Sequence, residues 1–132
     1  APGGTVATNI SGNEGNFAMS LSQNGSVQAT VRNDVGELQD LSSDALLPLQ
    51  AWRQLVMTVD GKQLRVYEDG QLVASSPCSP LADCEAESLW LGTDARGQKL
   101  WNGRIDEVAL FDRALSNAEI TDLYRAAVEE ME

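Results

Sequence analysis

Apolar and polar residues alternate with a period of two over most of this chain, the pattern of strands that bury one face. Phe17, Met19 and Leu21 alternate with Ala18 and Ser20, and Val27, Ala29 and Val31 continue the pattern after Asn24-Gly25. Asn and Gly tolerate the positive φ that both central residues of a type I′ turn require, so the segment reads as a hairpin. Leu55, Met57 and Val59 form the next alternating set, Asp60-Gly61 turns the chain, and Leu64 and Val66 return. A second turn at Glu68-Asp69-Gly70 leads into Leu72 and a short strand, and Leu89 and Leu91 flank Trp90 in another strand that ends at Gly92. Residues 34–50, with Pro48 among them, read as a connecting loop holding one weak strand at most.

The period changes near the end. Ile105, then Val108 and Leu110, predict a strand that runs through Asp112-Arg113 toward a helix. Ser116 and Glu119 have the S-x-x-E spacing of a capping box, and Leu115 and Ile120 stand where the two halves of a hydrophobic staple belong. From Asn117 to about Glu129 the apolar residues Ile120, Leu123, Tyr124 and Val128 recur at helical spacing. Many short strands, Gly-rich turns and one terminal helix predict an all-β fold, a two-sheet antiparallel sandwich with a short C-terminal helix. The 132 residues suffice for one domain with its own core, and 42% hydrophobic content is that of an ordinary globular chain.

Four segments carry a family likeness. Leu49-Gln50-Ala51-Trp52-Arg53-Gln54-Leu55-Val56 has an L-x-x-W-x-x-hydrophobic form, and Thr58 to Gly70 reads t-x-D-G-x-x-L-x-l-Y-x-D-G. Leu89-Trp90-Leu91-Gly92 reads l-x-l-G, and Trp101 to Ile120 reads aromatic-x-G-x-I-D-E-V-x-hydrophobic-aromatic-x-R-x-L-S-x-x-E-I. In this order they resemble the laminin-G-like, concanavalin-A-type jelly-roll domains, whose members mostly bind glycans or proteins and do no chemistry. The resemblance implies that Trp52 and Trp101 pack in the core. Members of the family usually open with additional strands, whereas the likeness here is loose ahead of Phe17 and the chain is expected to begin near the strand that follows them. A sandwich short of those strands exposes a sheet edge, so a neighbouring chain, a swapped strand or an upstream segment is expected to fill it, against a compact variant that has reorganised its edge.

Charge narrows the partners. Twenty acidic against nine basic residues give a formal net charge of −11, which repels nucleic-acid phosphates and anionic lipid. No apolar run is long enough to span a membrane. The absence of histidine removes His-based triads and the commonest transition-metal ligand. Cys78 and Cys84 enclose Ser-Pro-Leu-Ala-Asp, and without His they cannot complete a tetrahedral zinc site unless carboxylates are recruited. A disulfide between them is the expectation, which places the chain in an oxidising compartment, secreted, extracellular or periplasmic.

The same restraint applies to catalysis. A glycosidase flanks the scissile bond with two carboxylates, which on one strand must stand at i and i+2 or i+4. Asp106 and Glu107 are adjacent and point to opposite faces, while Val108 and Leu110 hold the other positions. No nucleophile elbow, P-loop or dinucleotide glycine pattern is present, so a non-enzymatic module is expected. Calcium is the cofactor the resemblance implies, with Asp94, Asn102 and Asp106 the oxygen donors at hand, against ordinary turn and ion-pair roles for the aspartates. Trp90 and Tyr67 alternate with inward residues and are therefore expected to face outward, where an aromatic ring can stack on a sugar or anchor a protein. Asn9-Ile10-Ser11 and Asn24-Gly25-Ser26 match the glycosylation sequon, a match that chance readily supplies. The expected function is a non-catalytic extracellular recognition module for carbohydrate. The alternatives are an adhesive assembly protein whose sandwich is completed by a neighbouring chain, as a homo-oligomer or with a strand donor, and the accessory domain of a secreted glycosidase.

Overall fold

The computed structural model describes residues 4–22, 25–46, 52–82, 89–98 and 114–131. Among the described residues eight strands and one helix follow in chain order: β1 Gly4–Thr8, β2 Phe17–Leu21, β3 Ser26–Arg32, β4 Leu38–Leu46, β5 Leu55–Val59, β6 Gln63–Glu68, β7 Gln71–Pro77, β8 Trp90–Leu91 and α1 Asn117–Met131. They form a five-stranded sheet in the order β4-β3-β2-β1-β8 and a three-stranded sheet in the order β5-β6-β7. Every pairing is antiparallel. The two sheets meet along one side where β4 contacts β7. The all-β, two-sheet sandwich with a C-terminal helix is the predicted architecture.

The core lies between the sheets. Val27, Ala29 and Val31 from β3 and Leu64 and Val66 from β6 form its buried centre, with Met19, Leu21, Leu41, Leu55, Met57 and Val59 packed against them. These are the inward positions that the alternation assigns, because each β-branched or aliphatic side chain at every second position removes apolar surface from water on one face only.

Three strands depart from expectation. β1 is an interior strand between β2 and β8, although its Gly-Thr-Val-Ala-Thr sequence has no clean alternation. A bulge between Thr5 and Ala7 explains this, since the extra residue returns Thr5 and Thr8 to one face. β4 runs for nine residues where a connecting loop with at most a weak strand was expected. Its inward positions include Gln39 and Ser43 as well as Leu41, so the apolar signal is diluted. The Ser43 hydroxyl accepts the Val27 N–H at 3.1 Å and does the work of a ladder acceptor. In β7 a register shift opposite Val66/Tyr67 pairs Leu72 with Tyr67 and Ala74 with Val66. Leu72 therefore points away from the core and is 50% exposed, while Val73 and Ala74 pack against it.

The turns are tied down by carboxylates and glycines. At Asp69-Gly70 both residues have positive φ, 51° and 81°, the left-handed pair that a two-residue hairpin needs. Asp60 closes the preceding hairpin by accepting the N–H groups of Lys62 and Gln63 at 2.9 and 2.7 Å. Hydrogen bonds from Gln63 and Lys62, then the Arg65 guanidinium, hold its carboxyl down at about 2. The hairpin near Asn24-Gly25 forms, but it closes on Ser22: Gly25 N–H donates to Ser22 O and Ser22 N–H donates to Ser26 O. Gln23 and Asn24 lie outside the described residues.

Helix α1 begins at Asn117 as its capping box dictates. Ser116 N–H donates to Glu119 Oε1 at 3.0 Å and Glu119 N–H donates to Ser116 Oγ at 3.2 Å. Ile120 is fully buried.

Candidate functional site

The two outer faces of the sandwich differ in what covers them. On the three-stranded sheet the row Val56–Tyr67–Leu72 faces away from the core. Tyr67 is only 3% exposed, and its hydroxyl donates to Asn117 Oδ1 of α1 at 2.5 Å. Gly70 lies against the Tyr124 ring, so close that a Cβ there would come within 3.3 Å. The helix thus covers Tyr67 and the Asp69-Gly70 turn, while Leu72 stays 50% exposed and the adjoining outward row, Thr58–Arg65–Ser75, is polar. Tyr67 is outward with respect to the core, as expected, but its ring is enclosed and cannot stack on a ligand, which corrects its assignment as a binding aromatic.

The outer face of the five-stranded sheet is a polar surface. One row across all five strands reads Trp90, Thr8, Ala18, Thr30, Asp40. The next reads Thr5, Ser20, Gln28, Ser42 across four. Gln28, Asp40 and Ser42 are exposed, Ala18, Ser20, Thr30 and Trp90 half-buried, and Thr5 and Thr8 buried near the β8 side. The partner row on the inner face is Leu91, Ala7, Met19, Ala29, Leu41. Trp90 therefore faces outward as expected, and Leu91 takes the inner face at a sheet margin where it stays 47% exposed. An indole at one end of a sheet row, with hydroxyl and amide groups along it, offers a stacking surface and directed hydrogen bonds. The Thr30 hydroxyl donates to Asp40 Oδ1 at 2.6 Å, which fixes both side chains on this face.

A loop cluster borders one end of the face. Arg32 Nε and NH2 donate to Gly15 O and Gly12 O at 3.0 and 2.8 Å and hold the 11–15 turn against the sheet. Asn9 Oδ1 accepts the N–H groups of Asn16 and Phe17, its Nδ2 donates to Asn16 Oδ1, and Asn16 Nδ2 reaches Ala82 O. The Asn9 amide of the first sequon is thus a structural bridge between two segments. Buried Asn33 closes the β3–β4 turn by accepting from Val35 and Glu37 N–H, and Asp34 N–H donates to Pro80 O. Gly15 has no room for a side chain, because a Cβ would stand 2.0 Å from Asn9 O.

The remaining sequence-derived positions fall as follows. Asp94 Oδ1 accepts the N–H groups of Arg96 and Gln98 at 3.0 and 2.8 Å, and Oδ2 stands 3.8 Å from the Arg96 guanidinium. That is the arrangement of a loop-closing aspartate beside a cation rather than of an open calcium ligand. Asn102, Asp106, Trp101 and the whole 99–113 segment lie outside the described residues, as does Cys84. Among the described residues no group of three or more His, Cys, Asp or Glu side chains is placed to hold a metal. Cys78 packs against the core, and burial pushes its thiol up, with the Asp60 charge adding to the effect. Trp52, expected in the core, is 53% exposed because it precedes β5, where no strand pairing holds it against the sandwich. The residues that the sequence reading passed over are Thr8, Ser20, Gln28, Thr30 and Ser42. Gln28 and Thr30 are legible as the polar complement of Val27, Ala29 and Val31.

Comparison with known proteins agrees with this architecture. A comparison with the curated proteins finds no match. Among solved structures, the chain is similar to the CBM40 of the Ruminococcus gnavus IT-sialidase, with TM-score 0.72 and 17% identity over 92% of this chain and 73% of that one. It is also similar to residues 221–444 of an S-layer domain-containing protein from Clostridium thermocellum, with TM-score 0.54 and 20% identity. That match covers 93% of this chain, which spans 63% of the other. At such identities the likeness is one of fold. The family Laminin_G_3, described as the concanavalin A-like lectin/glucanases superfamily, matches residues 2–121, and the chain belongs to it.

Proposed function

We propose that the chain is a non-catalytic carbohydrate-recognition module of an extracellular or cell-surface protein, and that it binds saccharide on the outer face of the five-stranded sheet. The observation that carries this is the contrast between the faces. On the three-stranded sheet the outward tyrosine is covered by α1, while the face carrying Trp90, Thr30, Gln28 and Ser42 presents hydroxyl and amide groups beside an indole. A pyranose has the same make-up, an apolar ring face edged by hydroxyls, so stacking and directed hydrogen bonds together give it orientation. The printed identities of the fold neighbours, a carbohydrate-binding module and an S-layer domain-containing protein, accord with a surface role. Among the described residues no helix is long and apolar enough to cross a membrane.

Cys78 stands as a free thiol and Cys84 lies outside the described residues, so the Cys78–Cys84 disulfide and the oxidising compartment it would mark rest on the sequence alone and are read from the intact mass before and after reduction. Calcium on the oxygen donors Asp94, Asn102 and Asp106 is part of the proposal; a rise in melting temperature on adding calcium chloride, reversed by EDTA, supports it. The decisive experiment is a glycan array followed by calorimetry. Specific binding that falls at least about tenfold in Trp90→Ala, the loss of roughly 1.4 kcal/mol from one stacking contact, supports the reading. Binding unchanged in Trp90→Ala removes this face as the site. The assembly reading, in which a neighbour completes the sheet, predicts self-association in light scattering without any sugar signal.

A further inference from the structure

Resting on that reading, we infer that the outer face of the five-stranded sheet selects neutral saccharides and rejects acidic ones, sialosides and uronates included. A carboxylate-bearing sugar is held by a cation, above all by an arginine fork that pairs both oxygens. None of the nine positions in the two rows across this face is basic: Trp90, Thr8, Ala18, Thr30, Asp40, Thr5, Ser20, Gln28 and Ser42. One described cation does stand on the same face, Arg32 of β3, two residues beyond Thr30 and opposite Leu38 in the next row. Its Nε and NH2 donors are committed to Gly15 O and Gly12 O, where they hold the bordering turn in place. Drawing it onto a ligand would release that turn.

The other described arginines in ion pairs are matched by aspartates. Arg53 pairs with Asp69 and Arg65 with Asp60 on the three-stranded sheet, and Arg96 lies 3.8 Å from Asp94 in the loop after β8. On the face itself stands an exposed carboxylate, Asp40, anchored by the Thr30 hydroxyl at 2.6 Å. An acidic sugar placed across Thr30 and Gln28 brings two like charges together, on a protein whose net charge is already −11. A neutral sugar meets the same carboxylate as a hydrogen-bond acceptor for its hydroxyls. One group thus attracts the first and repels the second, which is specificity by repulsion as well as by fit.

The test pairs ligands that differ in one charged group: lactose against sialyllactose, and a neutral cello-oligosaccharide series against oligogalacturonates. Each is measured by calorimetry and on an array with wild type and Asp40→Asn at low and physiological salt. Asp40 is exposed and Asn keeps an acceptor for Thr30, so the variant retains the fold. The inference expects neutral binding that exceeds acidic binding by at least about tenfold, or roughly 1.4 kcal/mol. It expects Asp40→Asn to raise acidic binding several-fold with the neutral affinity changed less, and salt to narrow the gap through screening. Acidic ligands bound as tightly as neutral ones overturn the inference and leave carbohydrate recognition standing. An unchanged preference in Asp40→Asn overturns the role given to that carboxylate. Absence of binding to every saccharide by folded protein overturns the carbohydrate reading, and the inference with it.

Discussion

The two outer faces of the sandwich are built from the same kind of strand and end in opposite states. On the three-stranded sheet the outward row Val56–Tyr67–Leu72 is apolar, and α1 lies over its tyrosine, with Asn117 accepting the Tyr67 hydroxyl. On the five-stranded sheet the outward rows are hydroxyl, amide and carboxylate, edged by one indole. The difference teaches which face is structure and which is available for recognition. Apolar outward surface must be covered, because leaving it in water forfeits roughly 25 cal/mol for each Å². Polar outward surface needs no cover, so its residues are free to be chosen for a ligand. A buried tyrosine and a half-buried tryptophan, both outward in register, therefore do different things.

Substitutions that break the comparison rank by how deeply they reach into the roofed side. Ile120→Ala removes a fully buried side chain and is expected to cost about 2–5 kcal/mol in urea unfolding, with a loss of helical signal. A cost near zero would mean that the helix does not hold its face. Ser116→Ala deletes half of the capping box and should cost about 1 kcal/mol, while Ser116→Asp should retain most of the stability. On the open face the expectation reverses: Gln28→Ala should change stability by less than about 0.5 kcal/mol while weakening saccharide binding. The smallest effect belongs to the Asp60 turn. Its carboxyl is lowered from 3.8 to about 2, so its contribution is fully present above the unfolded value and is lost as pH falls through about 2. Side-chain carboxyl shifts followed by NMR should place its midpoint at about 2, and a midpoint near 3.8 would remove the Gln63, Lys62 and Arg65 interactions as its cause.

Much of this was legible in the residues. Val27, Ala29, Val31, Leu64 and Val66 announce the core by alternation, and Ser116 with Glu119 announces the helix start, because both signals are local and repeat over several positions. The failures share a cause in tertiary context. β4 hides its inward face because Ser43 substitutes a hydroxyl for a hydrophobe and makes a hydrogen bond to Val27 that only the folded pair reveals. The bulge in β7, which sets Ala74 rather than Val73 opposite Val66, leaves no mark in the alternation. Tyr67 was read as outward, which it is, yet no pattern within its own strand tells that a helix fifty residues later will cover it. Trp52 carries a family motif but stands ahead of its strand, where the motif's burial does not hold. The recognition face was half legible. Trp90 draws the eye as an aromatic, whereas Thr8, Thr30, Gln28 and Ser42 become one surface only when register aligns four strands.

The most direct test of this account is chemical-shift mapping of the amide and indole signals during titration with a neutral oligosaccharide identified on the array. The account predicts that the perturbed residues cluster at Trp90, Thr30, Gln28 and Ser42, with Tyr67, Leu72 and Ile120 unmoved. Perturbations centred on α1, on the three-stranded sheet or on Trp52 would contradict it.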